Sequence, residues 1–334
     1  MVRLRAEPED FVVEEVPLYA PSGEGGHTFL RVEKRLRTSE AVARDLARAA
    51  GAKPRDVGYA GRKDRVAVTT QWFSVPELDP ARALDFELHG AVVREAVRHP
   101  HKLRTGQLKG NRFSLRLRDV DAERFAAARL ALETLCRDGL PNRFGAQRFG
   151  REGDNAERAR RFCAGEIQVR DRREARFLVS AWQSEVFNAV LDARPVPPHR
   201  LEPGDVAMRH ESGGLFEVEE LAAEQPRADA FEISPTGPIF GPRMRWPGGA
   251  VGERERALLR AAGLNPDALK LPGVRARGGR RPLRVRPEEV QLEREGADAR
   301  LDFRLPAGSY ATVLVEAAFG EVESGPPQAA ASAV

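Results

Sequence analysis

The sequence feature that most constrains the fold is a short stretch in which apolar and polar residues alternate strictly. Phe113, Leu115 and Leu117 are separated by polar residues that include Arg116, and Arg118 ends the stretch. Successive side chains of a strand point to opposite faces of a sheet. This period therefore predicts a strand with one face on a core and the other carrying cations to the surface.

Other segments show strand patterns, and helical patterns follow several of them. Strands are predicted at residues 11–16, 29–33, 66–75 and 301–305. Helices are predicted at 38–51, 121–139, 181–191 and 309–319, with Thr38 or Ser39, Asp121 and Ser309 as N-caps and with Gly51 and Gly139 as exits. Strands followed by helices in this order predict an α+β sheet domain with helices on one face.

The chain length favours two domains, because 334 residues exceed what one compact core usually organises. From about residue 140 the sequence becomes rich in glycine and proline, and the strand-then-helix pattern returns only near the C-terminus. This change in composition and pattern predicts one discontinuous domain of residues 1–139 and 279–320, with residues 140–278 inserted. Residues 321–334 are rich in small residues and predict a flexible tail.

Several classes of protein are disfavoured by what the sequence lacks. No apolar run approaches the roughly 20 residues that span a bilayer, and the first residues are charged, which predicts a cytoplasmic protein with no membrane segment. Cys136 and Cys163 lack paired metal-ligand spacing, and the six histidines form no ligand pattern. Phosphate-loop, nucleophile-elbow and metalloprotease motifs are also missing. The sequence therefore predicts no metal and no cofactor.

Positive charge is concentrated in two stretches, although the formal net charge is only +4. The two stretches are residues 94–118 and 270–286, in which lysine and arginine residues are clustered. Such clusters can neutralise phosphates and release counterions, or they can be an ordinary solvated surface, and composition leaves both possibilities open. The candidates for contact with nucleic-acid phosphates are Lys63, Arg65, Lys102, Arg104, Lys109, Arg280 and Arg281.

A tight turn of Gly61, Arg62, Lys63, Asp64 and Arg65 carries the best candidate for chemistry. An aspartate in such a turn usually bonds nearby backbone amides and has only a structural role. The three neighbouring cations favour the ionised carboxylate, which a nucleophile needs. The turn alone does not decide between the two roles.

Residues 60–71, which run from Ala60 through Asp64 to Gln71, resemble the Ala-Gly-x-Lys-Asp-Lys-x-Ala-Val-Thr-x-Gln segment of the tRNA pseudouridine synthase D (TruD) family. Further segments are similar to the family in the same order, at residues 8–11, 23–27, 109–113, 142–150 and 306–312. The resemblance extends from about Arg5 to about Val315.

The resemblance implies a pseudouridine-synthase core of α+β class with a mixed, largely antiparallel sheet, plus an inserted α/β domain. It further implies that Asp64 is the catalytic nucleophile and Arg5 its paired cation. By the same resemblance Asn111 lies beside the pocket, Phe113 contacts the uracil and Tyr310 forms a second aromatic wall. Other family members can carry lysine at position 5, phenylalanine at 310 and tyrosine at 143.

The implied reaction converts uridine 13 of tRNA to pseudouridine, in a monomer that needs no obligate protein partner. The aspartate could act at the sugar C1′, at C6 of the uracil or on a sugar proton, and the sequence leaves these routes open. Two other classes also stay open, a non-catalytic RNA-binding protein and a carboxylate-based nucleoside hydrolase. Phe113, taken alone, is more typical of a core position.

Overall fold

The computed structural model describes residues 1–150, 152–271 and 274–325. None of the helices in these residues has the length and apolar character needed to cross a membrane. The strands, in chain order, are β1 (Val2–Leu4), β2 (Phe11–Pro17), β3 (His27–Arg35), β4 (Gly58–Tyr59), β5 (Val68–Pro76), β6 (Ala91–His99), β7 (Leu108–Arg118), β8 (Leu140–Pro141), β9 (Val206–Arg209), β10 (Leu215–Glu217), β11 (Ile233–Ile239), β12 (Gly279–Pro282), β13 (Arg284–Val285), β14 (Glu288–Glu295), β15 (Asp298–Pro306) and β16 (Val322–Ser324).

The helices alternate with these strands in the α+β arrangement that the sequence predicts. They are α1 (Ser39–Ala50), α2 (Pro80–Leu84), α3 (Ala122–Asp138), α4 (Asn155–Cys163), α5 (Arg172–Asp192), α6 (Leu221–Asp229), α7 (Gly249–Ala261) and α8 (Ala311–Phe319). Single 3₁₀ turns occur at Pro8–Asp10, Pro54–Asp56 and Ala146–Phe149.

The chain forms two compact units. Among the described residues, the first contains residues 1–133, 287–311 and 315–325, and the second contains those within 134–286 and 312–314. These boundaries differ by several residues from the predicted domain boundaries at residues 139 and 279. We call these bodies unit 1 and unit 2.

Unit 1 is built on one ten-stranded sheet whose central path runs β14-β15-β7-β2-β5-β3-β6. Strand β2 pairs in parallel with β5, and β1 pairs in parallel with β16. All the other neighbouring strands that the structure describes in this sheet pair antiparallel. The expectation of a mixed, largely antiparallel sheet is therefore confirmed.

Strand β7 carries the alternating stretch and lies between β2 and β15. Phe113, Leu115 and Leu117 are buried, while Arg116 is exposed and Arg118 is half-buried. In register, Phe113 lies opposite Val13 of β2 and Phe303 of β15. The predicted half-buried strand is confirmed, and the buried face is the one that leads to the candidate site.

Helix α1 covers part of the sheet and begins and ends where the sequence predicts. The Thr38 side chain accepts a hydrogen bond from the Ala41 amide, and Gly51 has the left-handed φ of 71°. Val42 and Leu46 pack into a core with Leu30 and other buried residues of β3 and β5. Complete burial of one such leucine contributes about 1.5–3 kcal/mol.

Unit 2 contains a four-stranded sheet in the order β10-β9-β11-β12 and a two-stranded ladder of β8 and β13. Helix α5 is longer than predicted and supplies Leu178, Trp182 and Val186 to a core. That core also contains Phe240, which directly follows β11, and Leu259 of α7. The central strand β11 shows no alternation in the sequence because it is almost wholly buried.

Two predictions near the C-terminus are wrong. Helix α8 begins at Ala311 after Tyr310, and Ser309 does not cap it, because the Ser309 hydroxyl is buried without a hydrogen-bond partner among the described residues. The predicted tail begins too early, because Val322–Ser324 form a strand paired with β1. The rest of the predicted tail, residues 326–334, lies outside the described residues.

A substitution at Gly110 tests how closely β7 and β15 approach. A Cβ atom at this position would overlap the carbonyl oxygen of Leu305. We expect Gly110→Ala to lower the free energy of unfolding by about 1–3 kcal/mol, the usual cost of overpacking. Urea denaturation measures the change. Gly26→Ala is the control, since no atom lies within 4 Å of its added Cβ, and equal stability of the two variants would contradict the close approach.

Candidate active site

The Gly61–Asp64 turn lies between β4 and β5, and hydrogen bonds fix its main chain. The Gln71 side-chain amide donates to the Gly61 carbonyl at 3.0 Å, and the Lys63 amide donates to the Ser39 hydroxyl at 3.0 Å. The Ser39 hydroxyl in turn donates to Oε1 of the Gln71 side chain at 2.5 Å. Both Ser39 and Gln71 are buried, so the turn is attached to the first residue of α1 and to the middle of β5.

A buried ion pair anchors the side chain that precedes Asp64. The Lys63 ammonium lies 2.7 Å from the Glu15 carboxylate, and the two side chains are 6% and 1% exposed. Glu15 also accepts a hydrogen bond from the Trp72 amide. Lys63 therefore points into unit 1, while the side chain of Asp64 is 43% exposed.

The Asp64 carboxylate is oriented by the Arg5 guanidinium. Nη2 of Arg5 donates to Oδ2 of Asp64 at 2.8 Å, and the Arg5 side chain is only 16% exposed. The same guanidinium lies over the Phe11 ring, 3.8 Å from its centroid. Burial lowers the pKa of Arg5, and the Asp64 charge acts in the opposite direction. The pair joins residues 59 positions apart, and the Asp64 side chain stays accessible to solvent.

The backbone of Arg5 adopts an unusual conformation that directs its side chain. Its φ is 64°, in the left-handed region that costs a residue with a Cβ atom about 1–2 kcal/mol. This residue directly follows β1, whose end at Leu4 pairs with Leu117 of β7. Strained residues persist where the surroundings fix them, and they concentrate at functional sites.

An aromatic layer lies beneath the guanidinium. The Phe11 and Phe113 rings are 6.2 Å apart edge to face, and Phe113 stacks on Phe303 at 5.0 Å. Phe113 is only 6% exposed, so the structure places it mainly as support for Phe11. The role of Phe113 as a direct contact of the base stays a prediction.

Asn111 and Tyr310 lie on neighbouring segments. The loop before α8 is held to β7 by a hydrogen bond from the Ala307 amide to the Lys109 carbonyl at 3.0 Å. Asn111 lies two residues further along β7, and its Oδ1 is buried with no hydrogen-bond partner in the described part of the chain. Tyr310, at the other end of the loop, is half-buried. Buried polar atoms are usually paired, so a free Oδ1 is suited to a ligand.

Two of the candidate RNA-binding residues are buried in ion pairs, which speaks against direct contact with phosphate. Lys63 is paired with Glu15, as described above. In unit 2, Arg280 is bidentate to Glu255 at 2.7 and 2.8 Å with no exposed side-chain surface. Burial raises the pKa of Glu255, and Arg280 opposes that effect. Arg281 is half-buried and stacks on Phe144 at 4.2 Å.

Much of the basic stretch at 94–118 is neutralised by acidic partners. The sheet pairs four of its arginines with carboxylates, in the pairs Arg94–Glu33, Arg112–Glu289, Arg116–Glu295 and Arg118–Asp10. Arg65, Arg104 and Lys109 are exposed and have no ion-pair partner within the described ranges. Lys102 is half-buried and donates to the Arg55 carbonyl. Among the described residues of unit 1, fewer cations are therefore exposed and unpaired than the sequence suggests.

The chemistry available here is that of one oriented carboxylate. No group of three or more histidine, cysteine or acidic side chains in the described residues could hold a metal ion. Sequence reasoning missed Glu15, Ser39 and Gln71, which fix the turn, and Lys34, which contacts the Asp64 carbonyl at 2.9 Å. Gln71 lies within the segment that resembles the family. No feature of the sequence indicated that Glu15, Ser39 or Lys34 contacts the turn.

Comparison with a solved structure identifies the fold. The solved structure of a TruD-family protein from Methanosarcina mazei superposes with a TM-score of 0.73 and 22% identity, covering 96% of this chain and 94% of that one. The mixed sheet of unit 1 is therefore that of a pseudouridine-synthase fold.

Sequence relatives identify the family. The family model described as tRNA pseudouridine synthase D (TruD) matches residues 1–161 and 164–317. A tRNA pseudouridine synthase D from Anaeromyxobacter dehalogenans strain 2CP-1 is 46% identical, over 96% of this chain and 93% of that protein. One from Geobacter sp. strain M21 is 39% identical, over 93% and 94%. The chain belongs to the tRNA pseudouridine synthase D family.

The burial of Lys63 yields a prediction about stability. Lys63→Ala leaves the Glu15 carboxylate buried without its partner, which typically costs about 3–5 kcal/mol. We expect that loss in urea denaturation. Arg65→Ala, which removes an exposed cation two residues away, should change stability by less than about 0.5 kcal/mol. If Lys63→Ala instead lost RNA affinity while its stability stayed unchanged, the hypothesis that Lys63 contacts RNA phosphates would be supported.

Proposed function

We propose that this protein converts a uridine of tRNA to pseudouridine, with Asp64 as the nucleophile and uridine 13 as the target. The observation that carries the proposal is the Arg5–Asp64 ion pair at 2.8 Å, on a turn whose carboxylate is still 43% exposed. The relatives named tRNA pseudouridine synthase D support the substrate class.

The reaction moves one glycosidic bond and changes no oxidation state overall. The bond between N1 and C1′ breaks, the base rotates, and C5 bonds to C1′. The proton on C5 is lost to solvent, and N1 gains one. The nucleotide must leave its stack first, at a cost of a few kcal/mol that contacts to the RNA backbone offset. The carboxylate can act at C1′, at C6 or on a sugar proton, and in each route it must be ionised and oriented.

The ion pair meets both requirements for the carboxylate. The Arg5 guanidinium places a positive charge beside the Asp64 carboxylate and donates a hydrogen bond that fixes its orientation. The main-chain anchors at Gly61 and Lys63 hold the turn, so that little reorganisation is needed on binding. No metal or redox group is required for these steps.

The substrate-binding residues are assigned by position. Asn111 offers a buried carbonyl oxygen that can accept the N3–H of uracil. Tyr310, half-buried at the end of the β15–α8 loop, provides a ring against the base, and Phe113 supports Phe11 from below. Among the cations, Arg65, Arg104 and Lys109 are the exposed groups that can contact RNA phosphates. We also propose that the protein acts in the cytoplasm as a monomer.

Removal of the carboxylate is the decisive test. Asp64→Asn keeps the side-chain shape but loses the charge and the nucleophile, so we expect the single-turnover rate to fall by about 10³-fold or more. Tritium release from tRNA labelled at uridine C5 measures that rate. Affinity for unmodified tRNA, measured by filter binding, should stay close to wild type. Asp85→Asn is the matched control, because Asp85 is exposed and lies outside the site.

The outcomes separate the competing functions. An Asp64→Asn variant that releases tritium at the wild-type rate would refute the nucleophile. A wild-type protein that binds tRNA and releases no tritium is a non-catalytic binder, whereas free uracil in the products indicates a hydrolase. Mapping of pseudouridine in the product tRNA tests the target, and modification at another position would refute uridine 13.

A further inference from the structure

A lysine that no proposed step uses lies directly behind Asp64. Lys34, on β3, is 1% exposed, and its ammonium donates to the Asp64 carbonyl at 2.9 Å and to the Arg37 carbonyl at 2.7 Å. Both acceptors are neutral. Within residues 1–150, 152–271 and 274–325, no carboxylate oxygen lies within 4.0 Å of this ammonium.

A buried ammonium without a contacting anion is costly unless other charges compensate it. Burial, together with the smaller effect of the nearby Lys63 charge, lowers the pKa of Lys34 to about 8. The charges of Asp64 and, more weakly, Glu40 of α1 act in the opposite direction. The principal compensating charge is therefore the carboxylate of the residue whose main chain Lys34 holds.

We propose that Lys34 is a positioning residue for Asp64, which holds the main chain of that residue and supplies a second positive charge behind its carboxylate. The proposal rests on the proposed role of Asp64. Arg5 reaches the side chain of Asp64 from one end and Lys34 reaches its carbonyl from the other. Gln71 already holds Gly61 and Ser39 already holds the main chain of Lys63, so the contact of Lys34 acts on Asp64 itself.

A defect in positioning should appear in the chemical step. A misplacement of about 1 Å can cost about 100-fold in rate, while binding of RNA depends on other surfaces. The charge contribution should also depend on pH. Lys34 is protonated below its folded-state pKa of about 8 and loses its charge as the pH rises through that value. The single-turnover rate of the wild type should therefore decline in that range.

Three variants separate the tether from the charge. Lys34→Met removes both, Lys34→Gln keeps a donor without charge, and Lys34→Arg keeps a charge that does not titrate in this range. We expect Lys34→Met to lower the single-turnover rate roughly 10–100-fold while the Kd for tRNA changes less than about twofold. Lys34→Gln should lie between Lys34→Met and the wild type. Lys53→Met, at an exposed lysine of the same chain, is the matched control.

The pH profile distinguishes positioning from simple structural support. Lys34→Arg should restore most of the rate at neutral pH and lose the part of the alkaline decline that is centred near pH 8. Deprotonation of uracil N3 at higher pH affects all variants alike, so the comparison with the wild type isolates Lys34. If Lys34→Met shows no cooperative unfolding, it has lost the native fold and its rate is not used. The pH profile of Lys34→Arg then supports or overturns the proposal.

Wild-type single-turnover rates in Lys34→Met, or an alkaline decline unchanged in Lys34→Arg, would overturn the proposal. Asp64→Asn is measured in parallel to separate the two ideas. If Asp64→Asn is inactive while Lys34→Met reacts at the wild-type rate, only the positioning role fails. If Asp64→Asn is active, the proposed nucleophile itself fails, whatever the Lys34 variants do.

Discussion

The ion pair between Arg5 and Asp64 is the interaction on which the site depends. It connects the residue after the first strand to a turn 59 positions later, and it closes at 2.8 Å while the Asp64 side chain remains partly exposed. An exposed ion pair alone would contribute little to stability. Here the guanidinium is largely buried against the Phe11 ring, so the pair restricts orientation more than it stabilises the fold.

The architecture of unit 1 explains why the pair can form. Strand β7 aligns β2 and β15, and the buried face of these strands supplies the aromatic layer under Arg5. Helix α1 presents Ser39 to the turn, and β3 presents Lys34. Each anchor comes from a different element, so the position of Asp64 is a consequence of the whole sheet and not of the turn sequence alone.

Local patterns in the sequence are enough to predict the elements that obey simple periodicity. The alternation in β7 and the caps of α1, Thr38 and Gly51, are features of a few adjacent residues, and their prediction is correct. The contact between Arg5 and Asp64 is implied only by the family resemblance, because no local pattern links residues so far apart in the chain. Burial of Lys63 and Arg280 and the contact of Lys34 could not be predicted, because they depend on which carboxylate or carbonyl the fold brings opposite each cation.

A crystal structure of the Asp64→Asn variant bound to unmodified tRNA tests the central claim most directly. Our account predicts an everted uridine beside position 64, with a sugar or base atom about 3–3.5 Å from the side-chain carboxamide, the distance of a near-attack arrangement. Arg5 should contact the same side chain or the nucleotide. A target uridine that stays stacked in the RNA, or that lies in a cleft remote from Arg5 and position 64, would contradict the account.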